Sequence, residues 1–244
     1  MSDFMEFGFG DNDDSLSNQK FARFKGKEGE SYRVSFVWWP TLADGRPDLS
    51  ANTPRFTGAK RIYIPNVGYV LDKGPEYAAF GQSKLQVATI IAQWPTNRHG
   101  EIDRVRFANG EVDVKPWIFG KDKYEMLKRR HGEWPFNTYD LGIACTDTQY
   151  QKMDLSPCRD SYFRKVSEAN GGTAKAVFDS IVAQVATISA QINDILARDL
   201  PIDKIREKLA GGPAPSPRGG NSGTGGASAF SQSADIDGLL DDMS

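Results

Sequence analysis

The stretch SKLQVATIIAQWP, Ser83 to Pro95, decides the fold. Val87, Thr89, Ile90 and Ile91 give it a β-branched centre, and Trp94 with Pro95 closes it, so it reads as a central strand. Upstream, Arg33 to Trp38 alternate in character until Pro40 ends a first strand. A polar, Pro-containing loop over 41–57 follows, then two short β-type runs, KRIYIP and VGYVLDKG. Downstream, TNRHGEIDR reads as a turn. EVDVKPWIFG returns as a strand in which Pro116 demands a bulge or an edge position. KDKYEMLKRR, Lys121 to Arg130, fits a short helix capped by Gly132, and YDLGIACTDTQYQKMDLSP supplies two more β runs, Tyr139 to Cys145 and Tyr150 to Leu155. The expected class is mainly β with α: a small barrel like the oligonucleotide-binding (OB) fold, a C-terminal helical segment and a disordered acidic tail.

Texture divides the chain further. Residues 1–19 read as a flexible acidic arm, 20–165 as the barrel domain, 166–210 as helical, 211–233 as a Gly/Ser/Pro linker and 234–244 as an acidic tail. In the helical part, Ala174, Phe178, Ile181, Val185, Ile188, Ile192 and Ile195 recur at steps of 4 and 3, with Thr173 as the expected N-cap. That seam over 174–195 needs a covering surface, either the β domain or a second copy. The linker spans roughly 26 Å as a flexible chain, enough for the tail to reach back over its own domain or out to another protein.

Charge is distributed unevenly beneath a net value of −2. Residues 20–165 carry 24 Lys and Arg against 17 Asp and Glu, whereas 1–19 carry 5 acids and no base. A basic body with acidic ends suits a protein that binds a polyanion. No run approaches the roughly 18 apolar residues of a membrane span, and the acidic, Gly-broken amino terminus is unlike a signal peptide, so a cytoplasmic location is expected. Cys145, Cys158, His99 and His131 lack zinc-ligand spacing, and no P-loop, G-x-S-x-G or Cys–His pairing points to an enzyme. No metal and no cofactor are expected.

Of 27 aromatic residues, 22 fall within 20–165, interleaved with cations. Lys60, Arg61 and Tyr63, then Lys115, Trp117, Phe119 and Lys121, then Tyr150 and Lys152 repeat the pattern, and Tyr69 lies in the run after Tyr63. Unpaired nucleic acid needs cations for its phosphates and flat rings for its bases. Tyr63, Trp117, Phe119 and Tyr150 are the expected stacking platforms. Phe36, Phe107 and Tyr124 are assigned to the core, and Lys128, Arg129 and Arg130 to a solvated helix end. In the tail, Ile236, Leu239 and Leu240 would anchor in an apolar groove of a partner, with Asp235, Asp237, Asp241 and Asp242 meeting its basic rim.

FGKDKYEMLKRR followed by YDLGIACTDTQYQKMDLSP resembles the second half of the T-even phage helix-destabilising proteins, which bind single-stranded DNA. GESYRVSFVWWP is similar to that family's first barrel strand, and DIDGLLDDM to the acidic end that contacts replication partners. The resemblance implies strand contact by Phe119, Lys121, Tyr150 and Lys152. The segment YIPNVGYVLDKGPEYAAFGQ, where the family's zinc ligands would fall, holds no His or Cys, and the family's basic amino-terminal cooperativity segment is replaced by acids. The expected function is a single-stranded DNA-binding protein that recruits replication or recombination partners. A transcription accessory factor recruiting an RNA polymerase and a protein-binding adaptor are the alternatives. Steep salt sensitivity of oligonucleotide binding separates the adaptor from the other two.

Overall fold

The computed structural model describes residues 23–97, 99–146 and 152–211. Its strands are β1 (Ser31–Phe36), β2 (Thr57–Ile64), β3 (Gly68–Leu71), β4 (Ser83–Trp94), β5 (Asp113–Gly120), β6 (Asp140–Cys145) and β7 (Met153–Cys158). The helices are α1 (Arg104–Ala108), α2 (Lys121–Glu133), α3 (Tyr162–Ser167), α4 (Gly172–Leu196) and α5 (Ile202–Gly211), with a 3-10 helix over Pro75–Phe80. All strand pairings are antiparallel, in the order β3-β2-β4-β1-β6-β7 with β5 also on β4. Among the described residues no pairing joins the two ends of that path, so the sheet is open.

The quoted central strand explains this topology. At 12 residues, β4 is long enough to serve three neighbours. Its first half pairs with β2 (Ile62 opposite Ser83), its second half pairs with β1 on the same edge (Phe36 opposite Ile91), and β5 runs along the other edge. β5 has a strand on one side only, which accommodates Pro116; the Pro116 carbonyl accepts from Phe24 N at 2.9 Å on the outer side.

Helices cover both faces. Cross-strand partners share a face, so Phe36, Ile91, Val87, Trp117 and Phe119 lie on one side, and Arg33, Ser35, Ala88 and Ile90 on the other. On the first side Phe136, just after α2, stacks on Phe36 at 4.3 Å. On the second, Asp140 ties β6, β1 and α3 together. Its carboxylate is fully buried and accepts from Arg33 Nε (2.8 Å), from the Ser35 hydroxyl and from the Tyr162 amide, while Trp94 Nε1 donates to Ser35 Oγ (2.7 Å). Burial pushes the Asp140 carboxyl up, against the opposing pull of the Ser35 and Arg33 hydrogen bonds.

A second, smaller core lies under the β2–β3 hairpin. Ile62, Ile64, Val67, Val70 and Tyr77 there meet Ile205 of α5.

Several details differ from the sequence reading. Gly132 does not cap α2, because the helix continues to Glu133 and stops at Trp134, before Pro135. Thr173 is inside α4 rather than at its cap, which is Gly171. Short helices α1 and α3 were not read from the sequence; they are nucleated by Asp103 and Ser161, whose side chains accept from the first-turn amides. The final strand runs Met153–Cys158, beyond the expected end at Leu155, and the expected start at Tyr150 lies outside the described residues. The α4 seam packs within this chain: Phe178, Ile181, Ile188, Ile192 and Ile195 are buried, and Ala174 and Val185 are partly buried against the main core. No helix among the described residues is long and apolar enough to cross a membrane.

Candidate nucleic-acid interface

The cation-and-ring pattern read from the sequence does not assemble into one trough. Through the β2–β4–β5 register, Lys60 shares a sheet face with Lys115, Trp117 and Phe119, whereas Arg61, Tyr63 and Tyr69 occupy the opposite face. Trp117 is 0% exposed and Phe119 6%, so neither offers a ring face to a base; both are core residues. Trp117 packs edge-on against Phe24 and Phe119, with ring centroids at 5.5 and 5.1 Å.

Arg61 is likewise a buried structural cation. Its guanidinium donates to Gln86 Oε1 (3.0 Å) and Tyr69 O (2.8 Å), and lies 5.4 Å from the Tyr69 ring centroid. Burial pulls its pKa down to about 10, partly offset by Tyr69. Tyr69 is also buried, with the half-buried Tyr63 ring 5.1 Å away. Lys115 is half-buried, and its ammonium donates to Asp113 Oδ2 (3.1 Å) and Gln93 Oε1 (3.3 Å). Lys60, Lys121 and Lys152 are exposed. Tyr150 and the tail residues Asp235, Ile236, Asp237, Leu239, Leu240, Asp241 and Asp242 lie outside the described residues.

A different site combines rings with cations. Between α2 and the end of the 41–57 loop lies a cavity of about 400 Å³. Phe56, Tyr124, Leu127 and Phe136 form its apolar walls with Pro40 and the buried Pro54, and the exposed Arg55 and Lys128 with His131 its basic side. The rings continue inward as a contiguous series. Tyr124 meets Phe56 edge-on at 5.5 Å, Phe56 lies 5.8 Å from Phe36, and Phe36 lies 6.3 Å from Trp117. The sealed rings thus act as foundation for the two that reach the opening. Such support fixes rotamers, and a fixed ring loses little entropy when a base stacks on it.

Helix α2 supplies one wall because of its spacing. Lys121, Tyr124, Lys128 and His131 follow at steps of 3, 4 and 3 and therefore share one face, about 15 Å long. Leu127, beside them, is buried and pins the helix to the sheet. Arg130 is committed elsewhere, to Glu133 at 2.7 Å and over the Trp134 ring at 4.9 Å. By contrast, the Arg55 and Lys128 side chains make no hydrogen bond or ion pair with a described residue.

His131 fastens the loop to the helix. Its Nδ1 accepts from the Phe136 amide at 3.1 Å, so Nε2 carries the proton and donates to the Asn52 carbonyl at 2.5 Å. Asn137 Nδ2 donates to Leu49 O (3.1 Å), a second tie to the same loop.

Two other cavities suit a polyanion less well. One, of about 350 Å³ against α4, is lined without any charged side chain; the other, of about 170 Å³, includes Glu30, Glu111 and Asp113, which repel phosphate. The sequence reading placed Tyr124 in the core and Lys128 on a solvated helix end, and missed Arg55 and Phe56. The 3-4-3 spacing of α2 was the available signal for Tyr124 and Lys128. Nothing local marks Arg55 and Phe56, which reach the site through the loop's tertiary path. Comparison of the chain with protein-family models, with curated proteins and with solved structures finds no match in any of the three.

Proposed function

We propose that this protein binds single-stranded DNA, protects unpaired strands, and recruits replication or recombination proteins through its acidic tail. The observation that carries the reading is the cavity between α2 and the 41–57 loop, where two partly open rings stand beside cations with no acidic partner in the described structure. An unpaired base stacks on the open face of Tyr124 or Phe56, which already touch each other edge-on, while Lys121 and Lys128 follow the phosphates along α2. Duplex DNA is disfavoured, because its bases are already stacked on each other and present no free face to these rings.

The finer architectural reading is an OB-like barrel. It is supported by the path of residues 24–30, which lead from the outer edge of β5 (Phe24 N to Pro116 O, 2.9 Å) round to β6 (Cys145 N to Glu30 O, 3.1 Å) and into β1. Phe24, on this path, packs edge-on against Trp117 at 5.5 Å. The tail's role rests on its sequence: aspartates flanking Ile236, Leu239 and Leu240 at the end of a long linker.

Titration of fluorescent single-stranded and duplex oligonucleotides at two salt concentrations tests the reading. With about three phosphates neutralised, the salt slope is about −2, so raising salt from 50 to 200 mM weakens single-strand binding roughly 16-fold. Equal affinity for duplex, or no affinity for either form, overturns the proposal.

A further inference from the structure

The cavity between α2 and the 41–57 loop also suits a stretch of this chain's own sequence, an inference that rests on the strand-binding reading above. Apolar walls (Phe56, Tyr124, Leu127, Phe136) and a basic side (Arg55, Lys128) adjoin there. An occupant that satisfies both carries rings and carboxylates close together. The 1–19 segment, outside the described residues, does: Phe4, Phe7 and Phe9 stand among Asp3, Glu6, Asp11, Asp13 and Asp14, with no Lys or Arg. The other acidic segment, 234–244, has no ring. Rings beside negative charges are also what an unpaired strand presents, as bases beside phosphates.

The tether is of the right length. Phe24 packs on Trp117 at 5.5 Å, Trp117 lies 6.3 Å from Phe36 and Phe36 lies 5.8 Å from Phe56, so the Phe24 and Phe56 rings are within about 18 Å of each other. The stretch from Phe9 to Arg23 spans about 20 Å as a flexible chain and about 45 Å when extended, enough to pass around the outside of the domain.

We propose that, when no strand is bound, the 1–19 arm seats its phenylalanines against Phe56 and Tyr124 with its carboxylates facing Arg55 and Lys128, and that a single strand binds by displacing it. Both occupants need the same rings and the same cations, so they compete. A tether this short holds the arm at a millimolar effective concentration. With an effective concentration of about 2 mM and an intrinsic arm affinity of about 0.5 mM, the cavity is open roughly one-fifth of the time, which raises the apparent Kd for a strand about 5-fold.

The test uses the full chain, in fluorescence anisotropy with an oligothymidine at low salt and in photocrosslinking without nucleic acid. Phe4→Ser, Phe7→Ser and Phe9→Ser combined leave every charge in place, so a gain in affinity reports the lost ring contact and not a lost repulsion. The expected gain is about 5-fold. With Phe7→p-benzoylphenylalanine, illumination of the free protein should join position 7 to residues 53–56 or 124–136 of the same chain, and excess oligothymidine should abolish the product.

An unchanged affinity of the triple variant, with strong binding retained, overturns the arm's role and leaves the strand-binding reading standing. Crosslinks that join two copies of the chain, or that fall outside the cavity, overturn it too. So does a gain produced by Leu239→Ser with Leu240→Ser and not by the phenylalanine changes, which makes the tail the occupant. Crosslinking into the cavity by a chain that binds no strand overturns the strand-binding reading and the competition built on it.

Discussion

Tyr124→Ala separates the contribution of rings from that of charge. The Tyr124 ring is half-buried, contacts Phe56 edge-on at 5.5 Å and forms one wall of the cavity. Its removal takes away a stacking face worth about 1–3 kcal/mol per base, or roughly 5- to 150-fold in affinity. No charge is lost, so the slope of log affinity against log salt stays at its parent value. Lys121→Ala, on the same face of α2, does the opposite: it lowers the slope by about 0.7 with a smaller loss of affinity at high salt. The assay is fluorescence anisotropy over a salt series, with thermal melting of each variant as a control on folding. Tyr124→Phe should bind like the parent, since the ring is retained. If Tyr124→Ala binds like the parent, or loses affinity only through a changed salt slope, bases do not stack there and the reasoning fails.

Three further outcomes follow from packing. Trp117→Ala opens a large void beside Phe24, Phe36 and Phe119 and should cost about 3–5 kcal/mol in chemical denaturation; a near-neutral result would mean that the ring is not sealed. Asp140→Ala takes away the carboxylate partner of Arg33, leaving it only the Arg159 and Asp160 carbonyls, and deprives the Ser35 hydroxyl and the Tyr162 amide of their acceptor, for a loss of about 3 kcal/mol and a melting point lower by roughly 10 °C, with no change seen if the network is dispensable. Ile205→Ala weakens only the small core beneath the β2–β3 hairpin, so limited proteolysis should cut near 196–202 before the main domain is lost; simultaneous loss of both cores would contradict their separation.

The sequence made β4 legible because β-branched residues crowd its centre, and α4 legible because an apolar residue recurs at every third or fourth position over six turns. Pro116 correctly marked β5 as lacking a strand on one side. The sharing of β4 between β1 and β2 was not legible, because register depends on which partners arrive and not on β4 itself. Trp117 and Phe119 were misread for a related reason. Val114 and Pro116, on the alternate positions of β5, are buried too, so the strand is covered on both faces and alternation gives no clue to which rings meet solvent. The basic cavity was half legible: α2 carries its own periodicity, but Arg55 and Phe56 join it across some 70 residues of chain, a distance no local pattern reports.

Photocrosslinking with a single-stranded oligonucleotide carrying 5-iodouracil tests the central claim most directly, because the halogenated base reacts with the aromatic side chain against which it rests. Crosslinks at Tyr124 or Phe56, lost under excess unlabelled single strand, are the result this account requires. Crosslinks confined to Tyr63 or to residues outside the cavity, with Tyr124 and Phe56 unmodified, would contradict it.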